Sequence, residues 1–120
     1  DGRVGIGTTT PGTTLEVAGS LRAESILLRN GTTLPKIQSG TATVGQSTDN
    51  DKQVTVVFPA SFSGVPRLIV MARSEGTNHP DTFATTTRAI SPTQFTVNLI
   101  RVDSPGGWAQ HLTLDWFAWE

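Results

Sequence analysis

The chain has 120 residues, of which nine are basic and ten are acidic, giving a formal net charge of −1. This length predicts one modest domain with an appendage, and the balanced charge argues against a surface for duplex nucleic acid or for an anionic membrane. The absence of cysteine excludes disulfides, thiolate zinc sites and thiol nucleophiles. No apolar run approaches the roughly 18 residues that span a membrane, so we expect a soluble domain without membrane insertion. The chain begins at Asp1 in the middle of a sequence pattern, from which we expect a piece of a longer protein.

Residues 1–36 predict a fibre stalk or neck segment without a core of its own. The pieces "VGIG" and "TTLEVAG" are short and alternating, "TTTPGTT" is a turn cluster, and Asn30-Gly31 is the commonest two-residue hairpin turn. The segment cannot bury its own aliphatic side chains, so another surface must cover them: Leu15, Val17, Leu21, Ile26, Leu27 and Leu28. A parallel bundle of identical chains would cover them. The alternative is a flexible linker, which would be richer in Ser, Gly or Pro and poorer in aliphatic residues.

Residues 37–120 predict an all-β domain, a six-stranded antiparallel β-sandwich. Apolar residues recur at every second position in six bursts separated by turn residues, at about residues 37–44, 53–58, 67–73, 82–90, 95–100 and 112–118. Strands of this kind pack as two sheets around one core. The third burst is apolar on both faces, so we expect it to be a central strand.

The last burst carries aromatic side chains on both faces. Phe117 and Trp119 alternate with Trp116 and fall on the side opposite the expected core. A sandwich buries one face of a strand, so two outward aromatic residues at this end indicate a second chain that covers them. We therefore predict that Phe117 and Trp119 form an oligomer interface. The alternative is a terminal strand packed under a neighbouring loop.

Two parts of the chain resemble known families. The stretch "GRVGIGTTTPGTTLEVAGSLRAESI" resembles an element found repeatedly near the C-terminal ends of bacteriophage tail fibres and related trimeric surface fibres. The pieces "IQSGTATVG", "KQVTVVFPASFSGVPRLIV", "AISPTQFTV" and "LTLDWFAWE", in that order, resemble the H-type lectin domain of snail agglutinins and discoidins. That resemblance implies a six-stranded sandwich, a homotrimer and binding of terminal sugars. Together the two imply the receptor-binding tip of a virion tail fibre, outside the host cell, attached to cell-surface carbohydrate.

The residues that hold the sugar in the lectin family are not kept here. Alignment on "SPTQF" places other residue types at four of those positions: Thr86 for an arginine, Val102 and Asp103 for a tryptophan and a histidine, and Gln110 near a tyrosine. The acidic residue of the first turn has a counterpart in Asp49 or Asp51. The resemblance therefore does not imply specificity for N-acetylgalactosamine.

The residues of this chain allow a sugar site of another kind. A sugar ring needs an apolar face to stack on, together with fixed hydrogen-bonding groups for its hydroxyls. Trp108, in the glycine-rich loop "DSPGGWAQ", is the candidate platform. Its predicted polar partners, which a neighbouring protomer would help to bring together, are Asp49, Asp51, Arg88, Asp103 and Gln110. The alternative is that Trp108 folds back onto the edge of the sandwich.

The sequence predicts no enzyme, no metal site and no cofactor. The run "STDNDK" spaces acidic residues as some calcium loops do, but it lacks the glycine and the distal glutamate of that site, so a hairpin turn is favoured. The loop "EGTNHPD" gathers Glu75, His79 and Asp81, for which a solvated loop is favoured over a metal or ligand site. Two histidines and no tyrosine leave few acid-base or nucleophilic arrangements. The alternative to a receptor-binding tip is a structural trimerisation or capping knob that binds no sugar.

Overall fold

The computed structural model describes residues 2–76 and 80–120. Across these residues the chain forms eight β-strands and no helix. No helix long and apolar enough to cross a membrane is therefore present in the described part of the chain. The chain divides into two units, Asp1–Leu34 and Pro35–Glu120, whereas the sequence places a boundary after residue 36.

The first unit is built from short pieces that leave their apolar side chains uncovered. Strands β1 (Val4–Ile6) and β2 (Leu15–Val17) pair in parallel, with Val4 opposite Leu15 and Ile6 opposite Val17. Eight large aliphatic residues of this unit are 41–67% exposed: Val4, Ile6, Leu15, Leu21, Ile26, Leu27, Leu28 and Leu34. One copy of this unit therefore does not bury its own aliphatic residues.

A hairpin forms at Asn30-Gly31, although its turn is not the two-residue type that the sequence predicts. The Leu28 amide donates to the Thr32 carbonyl at 2.7 Å, and the Gly31 amide donates to the Leu28 carbonyl at 2.8 Å, so residues 29–31 form the loop. Gly31 has a φ of 80° and Asn30 does not have a positive φ. A two-residue type I′ turn needs positive φ at both central residues, whereas the three-residue loop needs it at the glycine alone.

The second unit is an antiparallel β-sandwich of six strands, which confirms the predicted fold. The strands are β3 (Ile37–Ser47), β4 (Asp51–Val57), β5 (Arg67–Ser74), β6 (Phe83–Arg88), β7 (Gln94–Arg101) and β8 (Trp108–Trp119). One sheet has the order β3-β8-β5 and the other has the order β4-β7-β6, and all neighbouring strands are antiparallel. The period-two pattern of the sequence arises because each strand turns alternate side chains toward the space between the sheets.

Strand β5 lies at the edge of its sheet, so the prediction that the third burst is central is wrong. The central strand of this sheet is β8. Strand β5 is apolar on both faces because Val70 packs toward the core while Ile69 and Met71 point outward, where they are 58% and 66% exposed. The second apolar face is thus a surface of the sandwich and not part of its core.

The core lies between the two sheets and is filled by aliphatic and aromatic side chains. The most buried ones come from the two central strands: Phe95, Val97 and Leu99 from β7, and Leu112 and Leu114 from β8. The ring centroid of Trp116 lies 5.8 Å from that of Phe95 and 5.5 Å from that of Phe58, both in edge-to-face orientation. Gly40 faces Trp116 on β3, where an added Cβ would lie only 2.8 Å from Cζ2 of the indole. The tight packing of Trp116 therefore requires glycine at position 40.

Side chains tie the two chain ends of the sandwich to the loop between β4 and β5. The Gln38 amide nitrogen donates to the Ala60 carbonyl at 2.7 Å, and its oxygen accepts from the Ala60 amide at 3.0 Å. The Glu120 carboxylate accepts from the amides of Ser63 at 3.0 Å and Gly64 at 2.9 Å. Because β3 begins and β8 ends here, the β3–β4, β5–β6 and β7–β8 connections lie at the opposite end, which we call the loop end.

Candidate functional site

The outward face of the β3-β8-β5 sheet carries a cluster of apolar side chains. Phe117 and Trp119 on β8 point away from the core with their ring centroids 5.5 Å apart. Ile37 pairs with Trp119, Ile69 pairs with Phe117, and Met71 follows on the same side of β5. We call these five residues the apolar face; Ile37, Ile69, Met71 and Phe117 are 40–66% exposed. The oligomer that would cover Phe117 and Trp119 stays a prediction.

An ion pair borders the apolar face. Arg73 Nε lies 2.9 Å from Asp115 Oδ2, and the two side chains are 52% and 42% exposed. A pair this exposed contributes at most about 1 kcal/mol to folding. Its main consequence is that the Asp115 carboxylate, on the central strand of the face, already has a cationic partner within the protomer.

The outward face of the β4-β7-β6 sheet is polar. Its strand pairing places amide, hydroxyl and guanidinium groups side by side: Gln53, Thr55, Thr86, Arg88, Gln94, Thr96 and Asn98. The hydroxyls of Thr55 and Thr96 lie 3.1 Å apart. Val57 is the large aliphatic residue most exposed on this side, at 67%. The two outer faces of the sandwich therefore differ. The β3-β8-β5 sheet exposes apolar side chains, and the β4-β7-β6 sheet exposes mostly polar ones.

At the loop end a single arginine joins three connections. Arg101 Nη2 lies 2.7 Å from Asp81 Oδ1 of the β5–β6 connection and 3.1 Å from Asp103 Oδ2 of the β7–β8 connection. Its Nη1 donates to the Gly107 carbonyl at 2.6 Å, and its backbone amide donates to the Asn50 carbonyl of the β3–β4 turn at 2.8 Å. The planar fork of guanidinium donors suits several acceptors at once, so the Arg101 side chain joins the β5–β6 and β7–β8 connections, and its backbone amide adds the β3–β4 turn.

The same hydrogen bonds shift the pKa values of Arg101 and Asp103. The hydrogen bond from Arg101, together with one from the Thr82 amide at 2.8 Å, lowers the pKa of Asp103. The hydrogen bond to Asp103 raises the pKa of Arg101. Asp103 is therefore an ionised acceptor at neutral pH, which suits binding and positioning rather than proton donation.

An open depression of about 560 Å³ lies beside Arg101. The residues that line it include Ser47, Thr48 and Asp81. Hydroxyl and carboxylate groups on an open surface can bind a hydroxylated ligand through hydrogen bonds. Within residues 2–76 and 80–120, no three histidine or carboxylate side chains are grouped as metal ligands would be.

Trp108 lies in the core, so its prediction as a stacking platform is wrong. The side chain is 4% exposed, its Nε1 donates to the Gly45 carbonyl at 2.8 Å, and its ring lies 5.2 Å from that of Phe83 in edge-to-face orientation. Trp108 is the first residue of β8 rather than part of the loop. The alternative interpretation has the ring folded back from a loop onto the edge of the sandwich, whereas the structure has it inside the core as part of a strand.

Gln110 lies on the same inward side of β8 and is also 4% exposed. Neither its amide nitrogen nor its amide oxygen has a hydrogen-bond partner among the described residues. Both atoms are shielded from the surface, so a ligand outside the sandwich does not reach them. The prediction that Gln110 contacts a ligand is therefore wrong for this arrangement.

The other predicted ligand residues are not all brought together. Asp49 and Asp51 are exposed at the β3–β4 connection, which is the hairpin turn that the sequence favours. Asp103 lies at the same end of the sandwich in its ion pair with Arg101. Arg88 of β6 pairs with Thr96 of β7. This places Arg88 roughly 14 Å along the strands from the level of Asp51. One protomer therefore groups the three carboxylates without Arg88.

Arg101, the centre of the loop end, is a residue that the sequence analysis does not single out. The sequence feature that could have identified it is its spacing. Arg101 continues the inward alternation of Phe95, Val97 and Leu99, and a charged side chain on the inward side must find partners. Its partner Asp81 comes from the "EGTNHPD" stretch. In that stretch Glu75 is exposed, and His79 lies outside the described residues.

No protein-family model matches the sequence, and no curated protein matches it significantly. Solved structures do match. The N-truncated R1-type pyocin tail fibre aligns with a TM-score of 0.61 at 16% identity, over 82% of this chain and 86% of that one. The C-terminal part of the P. aeruginosa R1 pyocin fibre aligns with a TM-score of 0.62 at 19% identity, over 76% of this chain and 24% of that one. The tailspike gp61 of Pseudomonas phage phi297 aligns with a TM-score of 0.53 at 18% identity, over 69% of this chain and 15% of that one.

Identities this low show a shared fold and nothing finer. This chain spans about a quarter of the R1 pyocin fibre fragment, 24% by length. The sandwich described above therefore has a fold that is also present in pyocin tail fibres and in a phage tailspike.

Proposed function

We propose that this chain is the receptor-binding tip of a homotrimeric tail fibre, on the outside of a phage or phage-like particle, and that it attaches to cell-surface glycans without acting as an enzyme. The observation that carries the proposal is the fold. The match to the N-truncated R1-type pyocin tail fibre includes 82% of this chain and 86% of that structure. A domain that accounts for most of a tail fibre fragment is a natural candidate for the same kind of fibre.

The uncovered apolar residues support an oligomer of identical chains, and the resemblance to trimeric fibres supplies the number three. The first unit exposes eight aliphatic side chains, and the sandwich exposes its apolar face on one side. Contiguous exposed apolar surface of this kind marks protein contacts. Parallel copies of one chain place the same residues side by side, so each set can meet its counterpart in the other copies.

The loop end is the surface that we assign to the glycan. Asp49 and Asp51 are exposed there, and no ion pair engages either of them within the described residues. Sugar hydroxyls donate well to such carboxylates. The loop end lies opposite the end at which β3 begins, and we assign the receptor contact to it. Three weak sites on one fibre can gain about 10² to 10⁴ in avidity over a single site.

A second candidate function is a structural knob that caps the fibre and binds no sugar. The observation that favours it is the burial of Trp108 and Gln110. Without Trp108, the described loop end has no fully exposed aromatic ring for a sugar to stack on. Both functions require the trimer, and they differ only in ligand binding.

A glycan array probed with the purified chain separates the two functions, with light scattering alongside it to measure the mass. We expect three times the chain mass of 12.8 kDa and binding to a defined set of sugars. The double variant Asp49→Asn with Asp51→Asn should bind more weakly as an intact trimer. The control Glu24→Gln removes an exposed carboxylate from the first unit and should bind as the wild type does.

The outcomes differ for each function. A trimer that binds no sugar on a broad array supports the structural knob. A trimer whose sugar binding survives the double change moves the glycan away from the loop end. A monomer overturns both functions.

A further inference from the structure

The hairpin loop of the first unit contains the pair Asn30-Gly31, which has no part in the proposed function. Of the four asparagines in the chain, Asn30 is the one followed by glycine. Residues 29–31 are all exposed, and a Cβ added at Gly31 would meet no atom within 4 Å. The backbone nitrogen that follows Asn30 can therefore approach the Asn30 side chain without steric hindrance, because glycine has no Cβ and its surroundings are open.

Two hydrogen bonds from one residue hold the carboxamide of Asn30. Its Oδ1 accepts from the Thr32 backbone amide at 3.1 Å and from the Thr32 hydroxyl at 2.6 Å. An asparagine that bonds the backbone two residues further on forms a common local turn. Both donors draw electron density from Cγ through the carbonyl oxygen. That oxygen is thus already provided with the donors that would stabilise a negative charge on it.

We propose that Asn30 is a site of spontaneous deamidation and that Thr32 promotes the reaction. The Gly31 nitrogen gives its proton to hydroxide or water and attacks Cγ of Asn30. A new C–N bond forms, negative charge collects on Oδ1, and the side-chain nitrogen takes up a proton and leaves as ammonia. The product is a succinimide, which water opens to aspartate or isoaspartate. No oxidant, metal or second protein takes part.

A third hydrogen bond opposes the reaction. The Gly31 amide donates to the Leu28 carbonyl at 2.8 Å, so this bond has to open when the nitrogen loses its proton. Local opening of an exposed loop costs little free energy. The donors from Thr32 act on the step that follows, in which charge develops on Oδ1. We therefore expect Thr32 to control the rate in the folded hairpin.

Deamidation changes the hairpin in two ways. Each event replaces a neutral carboxamide by a carboxylate, which adds one negative charge to the loop. The isoaspartyl product also inserts one extra backbone atom between the Leu28 amide and the Thr32 carbonyl, which are bonded at 2.7 Å. The pairing of Leu27 with Thr33 lies next to that bond. The hairpin of an aged chain should therefore lose both contacts.

Peptide mass spectrometry of the purified full chain, stored at mildly alkaline pH, tests the site and the role of Thr32. We expect the mass gain of deamidation at Asn30 several-fold sooner than at Asn50 or Asn98, which are followed by larger residues. Isoaspartyl methyltransferase should label the same peptide. Thr32→Val removes the hydroxyl donor and keeps the shape of the side chain, so it should slow the reaction several-fold. Thr32→Ser keeps the hydroxyl and should react as the wild type does.

The same measurement in denaturant is the control, because the hydrogen bonds of the hairpin are lost there. Wild type and Thr32→Val should then deamidate at equal rates. A folded Thr32→Val variant that reacts as fast as the wild type would overturn the role of Thr32. A folded wild type that reacts no faster at Asn30 than at Asn50 would overturn the site itself. Since the reaction needs neither a partner nor a ligand, each result leaves the fibre proposal as it stands.

Discussion

Replacing Gly40 by alanine tests the packing of the sandwich where it is tightest. The added Cβ would lie 2.8 Å from Cζ2, 3.0 Å from Cε2 and 3.2 Å from Nε1 of Trp116. The indole cannot move aside easily, because Trp116 is 5% exposed and lies between Phe58 and Phe95. Overpacking of this kind costs about 1–3 kcal/mol, and alanine regains about 0.5–1 kcal/mol of backbone entropy over glycine in a strand. We expect the free energy of unfolding to fall by roughly 1–2 kcal/mol.

Thermal unfolding at one fixed protein concentration measures this change, since oligomers gain stability with concentration. For a unit of this size the loss lowers Tm by about 5–15 °C. The control is Gly106→Ala, where the nearest atom to an added Cβ is Ser104 Oγ at 3.8 Å and no clash arises. A Gly40→Ala variant as stable as this control would refute the account of Trp116 packing.

Two further predictions concern buried and terminal groups. Gln110→Met removes two buried amide atoms that have no partner within the described residues, so chemical denaturation should show an unfolding free energy higher by about 1 kcal/mol or more; a loss of stability would show that the amide is satisfied in the folded chain. The amides of Ser63 and Gly64 lower the pKa of Glu120, so its stabilising contribution is complete above the ordinary glutamate pKa of about 4.3 and is lost as the pH falls through the lower folded pKa. The stability of Glu120→Gln should therefore fall less steeply than that of the wild type on acidification below about pH 4, and parallel curves would contradict this role for the carboxylate.

The six strands of the sandwich could be predicted from the sequence because alternation reports which side of a strand is buried. The order of the strands could not. Strand β5 looks central because Ile69 and Met71 make its second face apolar, and a sequence does not say whether such a face meets another layer of the same chain or another chain. Strand β5 lies at the edge because it pairs with β8 alone, and more than thirty residues of sequence separate these two strands.

In the candidate site, too, burial could be predicted from local sequence, whereas contacts between residues far apart in sequence could not. Trp108 follows two glycines and looks like a loop residue, yet counting back by twos from Ala118 through Trp116, Leu114 and Leu112 puts both Gln110 and Trp108 inside. That signal was present in the sequence. The partnership of Arg101 with Asp81 depends on two connections meeting at one end of the sandwich, and no local pattern reports it.

The arrangement around Arg101 has a consequence for how the loop end can change. Its contacts are made to Asn50, Asp81, Asp103 and Gly107, which lie at or near the bases of the connections. Residues 104–106, which lie between two of these anchors, are not among its partners. Their identity and number could therefore vary with little effect on the frame. A fold built in this way can acquire new surface chemistry by exchanging short loop tips while its core and its assembly face stay the same.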